Sequence, residues 1–488
     1  MASLRGPSIA SVTGAALLLV GCVDAPAVKT PEQPPAKPAE AVPLPRALDP
    51  YSNLDPYPST YRPLPSQPVA IVGATVLTAT GQQIENGVVV LAEGRIVAVG
   101  DAATSIPAQA QRIDARGKWV TPGIIDAHSH LGVYPSPGVS SRQDGNEMTN
   151  PNTAGVWAEH SVWPQDPAFQ RARAGGVTTL LILPGSGNLF GGRSVTLKNV
   201  PAVTVRDMKF PGAPYGLKMA CGENPKRSYG MKGQAPSTAM GNVFGYRKAW
   251  LDATEYARKW AAYRARVAKG EQADAPARDL TLDTLAGVLA GEILIQNHCY
   301  RADEMATMID LAHEFGLHIA AFHHAVEAYK IAPLLAQEHI CAAIWGERGG
   351  MKMEAMDGIG ANAALLQRAG SCVIIHSDDT ILMQRLNQEA AIAVGAGLRA
   401  GIDIPRAQAI AWITANPAHA LGIDGQVGTL EPGKMADVVL WSGDPFSVYT
   451  VAEQVFIDGA LAYDRHDARF QPRSDFELGQ PGAGAFHP

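Results

Sequence analysis

Short apolar runs bounded by turn residues mark both ends of the chain. Val69–Leu77, Gly87–Ala92 and Arg95–Gly100 form one set, and Ala436–Trp441 and Val455–Gly459 form another. Runs of this length, rich in β-branched residues, predict short strands. Between the two sets the pattern changes. Strand-like Leu317–Phe322, a helical stretch from about Glu327 to Gln337, strand-like Ile340–Trp345, a helical stretch over Ala361–Arg368 and strand-like Ser371–His376 follow one another. Alternation of this kind predicts βα units and a parallel α/β sheet or barrel. The simplest architecture is α/β: a (β/α)8 TIM-like barrel over residues 123–425, with a small β-sandwich domain assembled from 67–122 and 426–465. A chain of 488 residues exceeds what one core usually carries, which favours such a division. The stretch Tyr246–Lys269 is charged and Ala-rich, with Trp250, Tyr256, Trp260 and Tyr263 at helical spacing. These aromatics read as one packing stripe of an inserted helix.

The N-terminus reads as a processing signal over residues 1–22, outside the fold. Arg5 supplies a weak positive charge, and the apolar Ala15–Val20 is too short to span a bilayer. It ends in Leu19-Val20-Gly21-Cys22, which resembles a bacterial lipobox, where the cysteine is lipidated and becomes the mature N-terminus. Several acyl chains on Cys22 would anchor the protein firmly to a membrane. Val23 follows Cys22 where Asp would signal retention in the inner membrane, so resemblance to enterobacterial sorting favours the outer membrane, facing the periplasm. Residues 23–66 are dense in Pro, Ala and charge and predict an extended tether, and 466–488 carry no readable motif beyond a tail.

Composition narrows the functions. The net charge of −6 comes without a basic stripe, which argues against a nucleic-acid partner. Cys221, Cys299, Cys341 and Cys372 lie in or beside apolar runs without close spacing, and read as buried free thiols. A homo-oligomer stays compatible with the chain.

The candidate chemistry begins at Val120–Asp126, an apolar run through a Pro-Gly turn that reads as a buried strand ending in His128-Ser129-His130. Side chains two apart on a strand point the same way, so both imidazoles can grip one ion. His298 closes the run Glu292–His298, His324 closes Ile319–His324, and Asp378 closes Val373–Asp378. Lys218 and Glu223 lie in the run Gly216–Asn224. In a barrel, strand ends converge on one mouth, so spacing alone makes these side chains neighbours. A mixed His and carboxylate set with an open position suits catalytic zinc. Gly185–Gly192 looks like a phosphate-cradling loop, but it lacks the Lys-Ser/Thr ending and a following helix start.

Over about residues 67–465 the chain resembles the metal-dependent amidohydrolase superfamily, in its imidazolonepropionase-related branch. The resemblance rests on Thr121–His130, Gly176–Thr179, Gly216–Arg227, His298–Asp303, His324–Tyr329, Ser377-Asp378, Ile413–Pro417 and Gly428–Asp437, in that order. It implies that His128, His130 and Asp378 hold one metal and that His298 and His324 hold a second, with zinc the expected ion. The bridging ligand stays open: Lys218 as its carbamate, Glu223, or no bridge in a site with one metal. An unmodified lysine is a cation and repels a metal. Where close relatives carry His-Cys-His, this chain has His298-Cys299-Tyr300, which bears on the substrate rather than on the metal. Asn188, Arg193, Arg227 and Tyr300 lie in loops that could select the substrate, and His323 is an inward neighbour of the site.

The implied function is metal-dependent hydrolysis of a non-protein C–N bond, with Asp378 as general base. Its substrate would be a small amide: a short peptide, an N-acyl amino acid or a cyclic amide. Deamination and phosphoester hydrolysis use similar sites on the same fold and remain alternatives. A non-catalytic binding lipoprotein is a third reading, against which the intact set His128, His130, His298, His324 and Asp378 argues.

Overall fold

The computed structural model describes residues 44–51, 55–136, 138, 140–346 and 352–471. The signal segment with Cys22, the tether as far as residue 43 and the tail beyond 471 lie outside the described residues. Among the described residues, no helix is long and apolar enough to cross a membrane.

Two eight-stranded sheets organise the chain. The first joins both ends of the chain. Its strands are β1 (Val69–Leu77), β2 (Gln83–Ala92), β3 (Arg95–Gly100), β4 (Gln111–Asp114) and β5 (Trp119–Pro122), with β14 (Val438–Trp441), β15 (Ala452–Ile457) and β16 (Ala460–Asp464). The seam is the antiparallel pair of β14 with β5, in register Val438↔Pro122 to Trp441↔Trp119. Alternation along β14 and β15 explains how this sheet docks. Val438, Leu440 and Phe456 join Ile71, Val89 and Leu91 in the sheet's own core. Val439, Trp441, Val455 and Ile457 point to the other face and enter the barrel core.

The second sheet is the barrel: β6 (Ile124–Ser129), β7 (Val177–Ile182), β8 (Phe190–Lys198), β9 (Tyr215–Ala220), β10 (Ile293–His298), β11 (Ile319–His323), β12 (Cys341–Ile344) and β13 (Val373–Ile375). Neighbouring strands follow chain order from β6 to β13. The barrel departs from eight parallel strands at one place. β8 runs antiparallel to both β7 and β9. Only residues 183–189 separate β7 from β8, too few for a crossover helix, so the connection is a hairpin. Five helices matter for the site. α1 (Pro167–Ala174) is capped by Asp166, which accepts from Ala168 N. α2 (Glu223–Gly230) follows β9 at the mouth, and α3 (Ala239–Ala268) is the inserted helix. Of the predicted aromatic stripe, Trp250, Tyr256 and Trp260 are buried, joined by Tyr246, while Tyr263 is half-buried. α4 (Leu280–Leu289) precedes β10, and α5 (Ala302–Phe315) follows it.

The cysteines overturn the expectation of free thiols. Cys221 pairs with Cys299, and Cys341 with Cys372. Strand register is the reason. Ala220 lies opposite His298, so the next residues, Cys221 and Cys299, face each other across β9 and β10. Ala342 lies opposite Val373, which places Cys341 beside Cys372. Sequence separations of 78 and 31 conceal both pairs.

The last part of the expected tether is also docked rather than free. Thr60 N donates to Arg206 O (3.0 Å) and Ser59 Oγ to Lys209 O (2.6 Å). The cause is a buried cation: Lys209 Nζ is held by Asp55 (2.9 Å) and Glu159 (3.0 Å). A second buried lysine joins the two sheets. Lys198, at the end of β8, reaches Asp437 (2.9 Å) and Asp458 (3.0 Å), and Tyr61 also donates to Asp458. Two buried carboxylates depend on this one cation. Lys198→Met should therefore lower the stability of the folded chain by about 3–5 kcal/mol, read as a drop in the urea unfolding midpoint against wild type.

Candidate metal centre

The first ligand candidates stand on β6 and the residue beyond it. Asp126, buried in the same strand, accepts from His128 N (3.2 Å) and from Ser377 N (3.2 Å), and Ser377 Oγ also donates to it. Asp378 N donates to His128 O (3.0 Å). These bonds bring the first and last barrel strands together, although no ladder joins β6 to β13. Asp378 thereby comes within 3.2 Å of His130 Nε2 and 3.6 Å of His128 Nε2, and 3.9 Å of His324 Nε2. Ligand atoms of His128, His324 and Asp378 all lie within 4.8 Å of one another. The rings of His298 and His324 are 4.8 Å apart. Lys218 on β9 is buried, with Nζ 3.2 Å from His128 Nε2. The structure thus gathers His128, His130, Lys218, His298, His324 and Asp378 at one place.

Backbone strain marks two of these positions. His324 (φ 59°) and Asp378 (φ 53°) adopt the left-handed region, which side chains other than glycine's rarely occupy. Such conformations persist where the surroundings impose them, and they cluster at functional sites.

The electrostatics suit a cation-binding centre. Burial, then the charge of Lys218, holds His128, His298 and His323 well below the ordinary histidine range. Burial and the neighbouring histidines do the same to His324. All four stay neutral, the form that ligates metals. Burial pushes the Lys218 ammonium down to about 7. Burial alone would raise the Asp378 carboxyl, but its hydrogen bond to His130 and the charges of His130, His376 and Lys218 outweigh that and hold it below the usual range. His130 Nδ1 donates to Leu183 O (2.8 Å), which leaves its Nε2 toward Asp378. Nδ1 of His298 and of His324 is buried without a hydrogen-bond partner. A buried imidazole nitrogen without a partner is costly. The Nε2 atoms of His128, His130 and His324 face Asp378, a donor set that a divalent cation fits.

Other predicted residues fall elsewhere. Glu223 is half-buried at the start of α2, and its carboxylate pairs with Lys352 (2.9 Å) at the mouth. Tyr300 lies beside the centre, with its ring 4.6 Å from His298 and Lys352 Nζ 4.1 Å above it. Burial, helped by Asp378, Glu354 and Glu223, raises its phenol, so it stays a hydrogen-bond donor. Arg227 is exposed on α2 at the same rim. Asn188 and Arg193 are corrections. Asn188 donates to Glu147 O and Thr153 Oγ1 and accepts from Tyr229 OH, so its amide is fully used in holding loops. Arg193 donates to Thr284 Oγ1 (2.8 Å) and lies 4.2 Å over Trp157, outside the barrel wall. His323 faces away from the mouth: it is fully buried and bonded to His128 and Gln296.

Three side chains at the centre escaped the sequence reading. His376 lies 4.7 Å from the His324 ring and 5.2 Å from that of His128. Its place two residues before Asp378 repeats the alternation of His128 and His130, which was the available signal. Trp345 stacks on His324 at 4.4 Å. Tyr300, Val326, Trp345 and Ala355 form an apolar cluster over the centre. Gln296 supports His323 (2.7 Å) from two residues before His298. A separate cavity of about 900 Å³ lies beside the mouth, between the loops after β6 and the docked N-terminal segment, and none of the ligand candidates lines it.

Comparison with known proteins bears on the fold and the family. The model of the family described as "Amidohydrolase family" matches residues 204–462. A crystal structure of an amidohydrolase from Thermotoga maritima MSB8 superposes with a TM-score of 0.74 at 34% identity, covering 81% of this chain and all of that one. Amidohydrolase tasK of Hapsidospora irregularis is 32% identical over 378 residues, 74% of this chain, and the chain spans 38% of that protein's length. An imidazolonepropionase of Rhizorhabdus wittichii is 26% identical over 392 residues, 73% of this chain and 88% of that protein. The chain therefore belongs to the amidohydrolase family.

Proposed function

We propose that this chain is a zinc-dependent, binuclear hydrolase of small amides: a short peptide, an N-acyl amino acid or a cyclic amide. The observation that carries the reading is the position of Asp378, in reach of His128, His130 and His324 at the barrel mouth. His128, His130 and Asp378 would hold one ion, and His298 and His324 the other. The carbamate of Lys218 would join them, because Glu223 is engaged with Lys352 while Lys218 lies against His128. Divalent ions held there supply Lewis-acid polarisation of the scissile carbonyl and acidify water.

The protein's own groups do the rest. Asp378 is ionised and partly exposed, so it can take a proton from the attacking water and pass it to the leaving nitrogen. Water adds to the carbonyl carbon, the C–N bond breaks, and the amine leaves with that proton. The Tyr300 hydroxyl stays protonated near the mouth and can donate to the developing oxyanion. The cluster of Tyr300, Val326, Trp345 and Ala355 offers an apolar wall to the group beside the amide. We further propose that a lipidated Cys22 displays this site at the outer membrane, on the strength of Leu19-Val20-Gly21-Cys22.

Asp378→Asn and His128→Ala should each cut hydrolysis of a responsive amide by about 10³-fold or more while leaving circular dichroism unchanged. Full activity in either would sink the reading, and a panel in which ammonia is the only nitrogen product released would point to deamination instead. Carboxylation of Lys218 needs its neutral amine. With the ammonium at about 7, reconstitution of metal-free protein with zinc and bicarbonate should slow about tenfold for each pH unit below that value, and Lys218→Ala should bind one zinc where wild type binds two. Cys22→Ala should move the protein from the membrane fraction to the soluble fraction in cell fractionation.

A further inference from the structure

We propose that Gln296 and His323 are positioning residues that lock His128 in the tautomer whose Nε2 lone pair faces the metal site. The inference rests on the metal-dependent function proposed above. Its physical content is the direction of every proton in one buried chain.

The chain starts at Ala420 O, a carbonyl that can only accept. Gln296 Nε2 lies 2.9 Å from it, so the amide nitrogen must face Ala420 and the amide oxygen must face His323. His323 Nε2, 2.7 Å from Gln296 Oε1, therefore carries a proton and donates. A neutral imidazole protonated at Nε2 is bare at Nδ1. That bare nitrogen lies 2.9 Å from His128 Nδ1, so His128 must supply the proton there. His128 is then bare at Nε2, the nitrogen that points to Asp378 and Lys218. The far end agrees: Lys218 Nζ, 3.2 Å from His128 Nε2, can donate to that lone pair.

Burial makes the assignment firm. Gln296, His128 and His323 are each at most 1% exposed, so water has no access to rewire the chain. The Ala420 carbonyl thus presets His128 through two intervening side chains. His128 pays no tautomer exchange when it takes up a metal. Groups that fix a ligating histidine in this way typically carry 10–100-fold in metal affinity.

The test uses the full chain labelled with ¹⁵N-histidine and stripped of metal. Long-range ¹H–¹⁵N NMR should show His128 protonated at Nδ1 and His323 protonated at Nε2, and His128 protonated at Nε2 would overturn the proposal. Zinc affinity is then measured by chelator competition in wild type, Gln296→Met, His323→Phe and the double variant. Each single variant should weaken one of the two binding steps by about 10–100-fold, and the double variant should be no weaker than His323→Phe alone. Losses that multiply in the double variant, or an unchanged affinity in folded Gln296→Met, would also overturn it. The tautomers are read without metal. A wild type that shows them yet binds no zinc would remove the proposed function and leave the proton chain standing.

Discussion

The closure between β6 and β13 is the constraint on which the rest of the site depends. No ladder joins these strands. The buried Asp126 carboxylate does so instead, through Ser377, while Asp378 N bonds to His128 O. Burial pushes the Asp126 carboxyl up to about 6, the opposite of what its hydrogen bonds favour. An aspartate held in so unfavourable a place is tolerated because it satisfies two backbone amides at once, His128 N and Ser377 N. The same contacts hold His128 and Asp378 at mutual distances short enough to share an ion. Closing the barrel and building the site are one event.

That closure has electrostatic consequences. It crowds His128, His323, His324 and His376 with Lys218 in a space that water barely reaches. Burial and neighbouring charges keep His128, His323 and His324 neutral, so the centre is rich in lone pairs around the Asp378 carboxylate. Left-handed φ angles at His324 and Asp378 show that the surrounding packing dictates where these ligands point. Two disulfides reinforce the arrangement. Cys221–Cys299 ties β9 to β10 immediately beyond Ala220 and His298, at the level of the centre.

Much of this was legible in the chain. The apolar runs locate the barrel strands that carry ligands with one difference: Val120–Asp126, read as one strand, divides at Gly123 into the end of β5 in the first sheet and the start of β6 in the barrel. His298 ends β10, His324 follows β11, and Asp378 follows β13, each at the point where the run stops. The aromatic stripe of α3 was equally readable, since a helix shows its buried face at a fixed period. Asn188 and Arg193 were misread for one reason. A polar side chain needs polar partners, and those of Asn188, in the β7–β8 hairpin loop, and of Arg193, on β8 itself, are Thr153, Tyr229 and Thr284 within the fold. The docking of residues 55–62 was hidden in a similar way, because Pro-rich composition reports a low capacity to form a core and says nothing of a buried Lys209 awaiting Asp55.

The sequence by itself determined which side chains can reach the mouth and which chemistry they support, because strand periodicity and residue type are local. The tertiary structure alone decided register and partnership. It put Cys221 opposite Cys299, turned β8 into an antiparallel strand, engaged Glu223 with Lys352, and set Lys218 against His128. It also linked Gln296 and His323 to His128, contacts that span 27 and 195 residues of chain. Such pairings depend on how strands slide and close against one another, and no local pattern records that.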